Sequence, residues 1–123
     1  ITGIAWLNGR SIRTVEGIAG RDANDQPLPS AVQQAFLKHF SFQCSYCTPG
    51  FVNAATVLVE ALARDPIPVA DVESRILDAL DSNLCRCTGY VRYYQAVRDV
   101  VLNTPGLTVD GPAQTASNAA VKA

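Results

Sequence analysis

The run Gln43-Cys44-Ser45-Tyr46-Cys47-Thr48-Pro49-Gly50-Phe51 is answered further along the chain by Asn83-Leu84-Cys85-Arg86-Cys87-Thr88-Gly89-Tyr90. Both contain a Cys-Thr step with a glycine and an aromatic residue close behind, and both lead into apolar residues at helical spacing. In the first, Thr48 is a good N-cap and Pro49 suits the first helical position. Phe51, Ala54, Ala55, Leu58 and Leu62 then share one face, and the helix should stop near Arg64, ahead of Asp65-Pro66-Ile67-Pro68. In the second, Thr88 caps a helix that aligns Tyr90, Tyr94, Val97 and Val101 on its buried side. Each of these helices follows another. Val32, Ala35, Phe36, His39 and Phe40 mark one from Ser30 to Phe40, and Val69, Val72, Ile76, Leu77 and Leu80 mark one ahead of the Asp81-Ser82-Asn83 turn. The reading is an all-α domain over residues 30–103. It is a four-helix bundle with pseudo-twofold symmetry, in which each half delivers two cysteines to the same end.

Outside those limits the pattern weakens. Residues 1–29 combine the alternating Ser11-Ile12-Arg13-Thr14-Val15 with Gly3, Gly9, Gly17, Gly20, Pro27 and Pro29, which reads as one strand among turns and as an extended connector. The chain starts at Ile1 and contains no Met, so residue 1 is read as a cut edge. Residues 104–123 are dominated by Thr, Pro, Gly, Ala and Ser and read as an irregular tail, mobile or held only by a partner. A chain of 123 residues with 48% hydrophobic content suits one compact core. Ten Lys plus Arg stand against eleven Asp plus Glu without a basic stripe, which argues against nucleic acid as a partner. Apolar runs such as residues 51–62 are too short for a bilayer, so no direct membrane insertion is expected.

All four cysteines lie in two tight pairs, CxxC and CxC, with 37 residues between Cys47 and Cys85. A disulfide framework would scatter them across loops. Two ferric ions bridged by sulfides need four thiolates around a small core, and two close pairs on separate helical hairpins supply them: Cys44, Cys47, Cys85 and Cys87. Helix N-termini behind the cysteines would offset the negative charge of such a 2Fe-2S cluster. Gly50 and Gly89 would let the backbone come close to it. On spacing alone a structural zinc site with four thiolates, stapling an interaction module, stays open as the alternative. A redox-active dithiol needs fewer cysteines than these.

The two cysteine runs resemble the paired signatures of the molybdenum hydroxylase, or xanthine oxidase, family. With Arg13-Thr14-Val15-Glu16-Gly17 and Val32-Gln33-Gln34-Ala35-Phe36 the resemblance covers about residues 10–102 in the expected order. It implies the helical 2Fe-2S-binding domain of the small iron-sulfur subunit, an electron-transfer part of an oxidoreductase that acts on aldehydes or N-heterocycles. The substrate would be oxidised in a large molybdenum-binding subunit, and single electrons would leave through iron-sulfur centres to flavin, haem or another acceptor. The molybdopterin, in its cytosine dinucleotide form, would sit in that partner. By motif position Gln43 and Cys87 are the residues that would touch the pterin. The resemblance also implies partners: the large subunit, a ferredoxin-like 2Fe-2S domain, and a FAD or haem subunit. The ferredoxin-type cysteine pattern that precedes this domain in the family is missing, and residues 1–20 would correspond to that domain's end and exit strand. Ser45 stands where the family usually has Gly, which asks the loop to fit a side chain and adds a hydroxyl near sulfur. The cytoplasm is the expected compartment, with the periplasm after export of the folded assembly as the alternative.

Other residues have plainer readings. His39 lies on the apolar side of its helix, where a lone histidine is usually packed. Arg86, between two ligands, either shifts the cluster potential or makes a solvated salt bridge. Tyr90, Tyr93 and Tyr94 suggest a hopping chain, but Tyr90 and Tyr94 follow the core stripe. Trp6 and Leu7 read as exposed contacts for a partner. Glu73, Asp78 and Asp81 belong to a solvated face, and no catalytic acid-base site is expected.

Overall fold

The computed structural model describes residues 3–109. In chain order the elements are α1 (Ile4–Leu7), a 3-10 turn (Val15–Ile18), β1 (Gly20–Arg21), β2 (Pro27–Leu28), α2 (Ala31–Lys38) and α3 (Thr48–Arg64). There follow β3 (Ile67–Pro68), a 3-10 turn (Val69–Asp71) that runs into α4 (Val72–Leu80), then α5 (Tyr90–Asn103) and β4 (Thr108–Val109). The described residues are mainly helical, with two short strand pairs: β1 antiparallel to β2, and β3 parallel to β4.

Local chemistry sets the helix ends. Ser30 and Gln33 form a reciprocal capping box, Gln33 N–H donating to Ser30 Oγ and Ser30 N–H to Gln33 Oε1, which satisfies two amides that the helix itself leaves free. The same Gln33 carboxamide donates to Val15 O, and Arg13 pairs with Glu60 of α3. These two links hold the segment around residues 13–17 against α2 and α3. Pro49 sits in the first turn of α3, where its missing N–H costs nothing.

Phe36, Phe51, Leu58, Leu62, Ile76, Val97 and Val101 meet in one core between α2, α3, α4 and α5. Full burial of each such side chain contributes about 1.5–3 kcal/mol. Helix α5 packs against both α2 and α4, and α3 against α2, α4 and α5. Lys38 and His39 at the end of α2 both reach the Asp99 carboxylate of α5, at 2.7 and 2.8 Å, and draw its pKa down to about 2.

Several expectations are corrected. The alternating Ser11–Val15 run is not a strand; Val15 opens the 3-10 turn, and the pairing strands fall at Gly20–Arg21 and Pro27–Leu28, around a turn where Asp22 Oδ1 accepts from Asn24 and Gln26. Thr88 is not the cap of α5: it has φ +59, and Gly89 takes the cap position. The buried stripe of α5 is Tyr93, Ala96, Val97, Val100 and Val101, whereas Tyr90 is exposed and Tyr94 half-buried. Val97 and Val101 are common to both stripes; the difference lies at the start of the helix, where Tyr93 and Ala96 replace Tyr90 and Tyr94. In α4, Val72, Ile76 and Leu80 are buried, while Val69 and Leu77 are exposed. Residues 104–109 are not irregular throughout, since Leu107 is buried in the core and β4 pairs with β3. The rest of the expected tail, 110–123, lies outside the described residues.

Candidate metal centre

Each cysteine run becomes a loop that feeds a helix. Cys47 occupies the N-cap of α3, and its carbonyl accepts from Gly50 and Phe51 N–H. In the second loop Cys85 and Cys87 precede Gly89, whose carbonyl accepts from Arg92 and Tyr93 N–H as α5 begins. All four cysteines are free thiols. The strongest interactions among them join Cys47 with Cys85 and Cys44 with Cys87, one residue from each loop, and a weaker one joins Cys85 with Cys87.

Their surroundings differ. Gly89 N–H donates to Cys85 Sγ at 3.3 Å and holds that buried thiol below its ordinary pKa. Burial pushes the Cys47 thiol up, and sharing with Cys44 does the same for Cys87. The Tyr93 hydroxyl lies 3.3 Å from Cys47 Sγ and 3.9 Å from Cys85 Sγ, and burial drives its own pKa well above the usual phenol value. Tyr90, exposed along one edge, turns its hydroxyl inward to accept from Cys85 N–H at 2.7 Å. Gln43 Nε2 donates to Cys87 O at 2.8 Å, and Thr88 Oγ1 donates to the same carbonyl. The two residues singled out by motif position, Gln43 and Cys87, are thus in direct contact on the exposed side of the loops.

Gly89 brings its N–H to Cys85 Sγ as a close backbone approach would, and both glycines also answer to protein neighbours. A Cβ on Gly50 would stand 2.9 Å from Asn83 Oδ1, and one on Gly89 would stand 2.9 Å from the Tyr93 ring. They are needed for the approach of one loop to the other and of α5 to its own tyrosine. Ser45 has φ +64, in the left-handed region that glycine enters without cost. Its side chain is exposed, so the strain is in the backbone and not in crowding.

Arg86 and Tyr46 point outward from the two loops, as does Leu84. His39 is a packing partner of Asp99, Glu73 pairs with Arg98, and Trp6 is exposed in α1. A groove of about 740 Å³ runs between α4 and the start of α5, lined by Leu77, Asp78, Leu84, Tyr90 and Val91 among others. Sequence reasoning missed Tyr93 as part of the site. Its place three residues after Tyr90, on the same helix face as Ala96 and Val97, was the available signal.

The donor set suits an iron-sulfur cluster. Of the four thiols Cys85 lies under the Gly89 amide, and Thr48 Oγ1, next to Cys47 in the chain, is a buried hydroxyl with no protein partner, as a hydroxyl facing sulfide would be. Residues 14–98 match the family described as the 2Fe-2S binding domain. The chain belongs to this family. As a 2Fe-2S binding domain it is 44% identical to the nicotine 6-hydroxylase small subunit of Paenarthrobacter nicotinovorans over 86% of its length and 54% of that protein. It is 38% identical to the xanthine dehydrogenase iron-sulfur-binding subunit of Escherichia coli O157:H7 over 77% of the chain and 54% of the relative. Among solved structures it is similar to quinoline 2-oxidoreductase from Pseudomonas putida 86, with a TM-score of 0.56 and 33% identity over 80% of this chain and 51% of that one. The chain spans about half the length of the curated relatives it matches. No described helix is long and apolar enough to cross a membrane.

Proposed function

We propose that Cys44, Cys47, Cys85 and Cys87 hold one 2Fe-2S cluster, and that the domain passes single electrons inside a molybdenum-dependent oxidoreductase. The observation that carries this is the pairing of the thiols across the two loops. Two irons joined by sulfides ask for two pairs, whereas a zinc staple asks for four sulfurs about one centre. In this reading the four thiolates would hold the cluster between the two loops, and it would tie the first half of the bundle to the second. The repeated loop-helix pattern then reflects a pseudo-twofold four-helix bundle over residues 30–103, with residues 1–29 as the exit from a preceding ferredoxin-like domain.

When bound, the cluster supplies a one-electron carrier. The protein's part is to offset its charge through Gly89 N–H and to cover it with Tyr93, whose ring Phe51 backs. On the exposed side Gln43 and the Cys87 backbone offer a hydrogen-bonded route to the pterin of a large molybdenum-binding subunit, where the cofactor is the cytosine dinucleotide form. Tyr46 and Leu84, apolar and exposed beside the ligands, suit that interface. A FAD or haem subunit would take the electrons onward. Aldehydes and N-heterocycles are the substrate classes we favour, oxidised in the partner, in the cytoplasm or after export of the folded assembly.

The test is a low-temperature electron paramagnetic resonance spectrum of the dithionite-reduced native assembly, with iron, sulfide, zinc and molybdenum quantified on the same sample. A rhombic 2Fe-2S signal coupled to molybdenum is expected. Stoichiometric zinc with a silent spectrum would sink the reading and leave a structural module.

A further inference from the structure

We infer that the Tyr93 hydroxyl donates a hydrogen bond to the Cys47 thiolate of the cluster, and to Cys85 as second acceptor, and thereby raises the cluster's reduction potential. This rests on the function proposed above and adds to it a residue that acts on the cluster without binding it.

The geometry leaves the phenol little else to do. Tyr93 is 1% exposed. Its ring stacks on Phe51 with centroids 4.2 Å apart and on Phe36 at 5.6 Å, while Gly89 lies close against its edge. A ring clamped on three sides cannot swing its oxygen to water, and a buried hydroxyl needs an acceptor. The sulfurs within reach are Cys47 Sγ at 3.3 Å, where either atom can donate, and Cys85 Sγ, which as a free thiol donates to Oη at 3.9 Å; as cluster thiolates both have lost their protons and can only accept. Thr48 brings a second buried hydroxyl beside Tyr93 Oη.

A hydrogen bond to a thiolate ligand grows stronger as negative charge on the cluster grows, so it favours the reduced state over the oxidised one. One electron enters and the same electron leaves; the proton stays on Oη throughout, and no bond to carbon or sulfur is made or broken. Tyr93 is a tuning residue and not a carrier.

The experiment is an electron paramagnetic resonance redox titration of the native assembly carrying wild-type chain, Tyr93→Phe or Tyr94→Phe. Phenylalanine keeps the stacking and removes only the donor. Tyr93→Phe should make reduction about tenfold less favourable, a fall of about 59 mV for a one-electron couple, with shifted g values. Tyr94→Phe, which removes a hydroxyl away from the thiols, should leave the potential in place. An unchanged potential in Tyr93→Phe, or an equal fall in Tyr94→Phe, overturns the inference. A wild-type sample without a 2Fe-2S signal overturns the proposed function instead. If Tyr93→Phe does not assemble, resonance Raman of the wild type decides: brief transfer to deuterated buffer exchanges hydroxyls before buried amides. The iron-cysteine bands should then shift, and bands that stay still refute the hydrogen bond.

Discussion

Replacing Gly89 by alanine, set beside the same change at Gly50, separates two glycines that occupy matching places in the repeated loops. At position 89 the new Cβ would meet Tyr93 Cε2 at 2.9 Å, Cζ at 3.1 Å and Oη at 3.3 Å. Those atoms belong to a ring held by Phe51 and Phe36, so the backbone must give way, and overpacking of this kind costs about 1–3 kcal/mol. Any backbone shift also lengthens the Gly89 N–H to Cys85 Sγ hydrogen bond. The usual entropic gain of alanine is small here, because Gly89 is a cap and alanine caps poorly. At position 50 the neighbour is Asn83 Oδ1, the free end of a side chain that can rotate, and Gly50 lies inside the first turn of α3. Alanine there gains up to about 1 kcal/mol of helix propensity, which offsets the displaced carboxamide. Thermal unfolding of the cluster-loaded protein, followed by loss of visible absorbance and by far-ultraviolet dichroism, should show Gly89→Ala lower by roughly 5 °C or more and Gly50→Ala within about 2 °C of wild type. Equal melting of Gly89→Ala and wild type, or an equal fall in both variants, would refute the packing argument.

Ser45→Gly should stabilise the protein by about 1 kcal/mol in urea unfolding, since φ +64 is strained for serine and free for glycine; a loss of stability would mean that the Ser45 hydroxyl makes a contact worth more than the strain. Tyr90→Phe strips the acceptor from Cys85 N–H, and a cost of about 1–3 kcal/mol together with faster cluster loss to chelator is expected; chelation at the wild-type rate would count against it. Asp99 titrates near 2 in the fold against 3.8 as a free group, so its contribution is present above about pH 4 and is lost as pH falls toward 2. The stability gap between wild type and Asp99→Asn should therefore close as pH falls from about 4 toward 2, and a gap that persists to pH 2 would show that Asp99 does not titrate as its pairing with Lys38 and His39 implies.

The helical character, the helix over residues 48–64 and the two cysteine pairs are legible in the amino-acid sequence, because each depends on short-range spacing. Helix periodicity, Pro49 at the helix start and CxxC with CxC are local patterns, and local patterns survive whatever packs around them. The face of α5 is legible only in its second half: Val97 and Val101 are buried as their spacing implies, but Tyr90, Tyr93 and Tyr94 fit two stripes, and packing against Phe36 and Phe51 selects Tyr93. Leu107 and the β3–β4 pair are hidden for a similar reason, since a composition rich in small and turn residues says nothing about a partner strand 41 residues away.

What the sequence determined by itself is the donor set and the elements that carry it: four thiols, two loops, and a helix behind each. The tertiary structure decided which thiol stands with which, that Gly50 and Gly89 answer to Asn83 and Tyr93, and that a tyrosine hydroxyl reaches the sulfurs. Most of those relations join residues about forty positions apart, and only the burial of Phe36, Phe51 and Tyr93 in a shared core brings them within hydrogen-bond range.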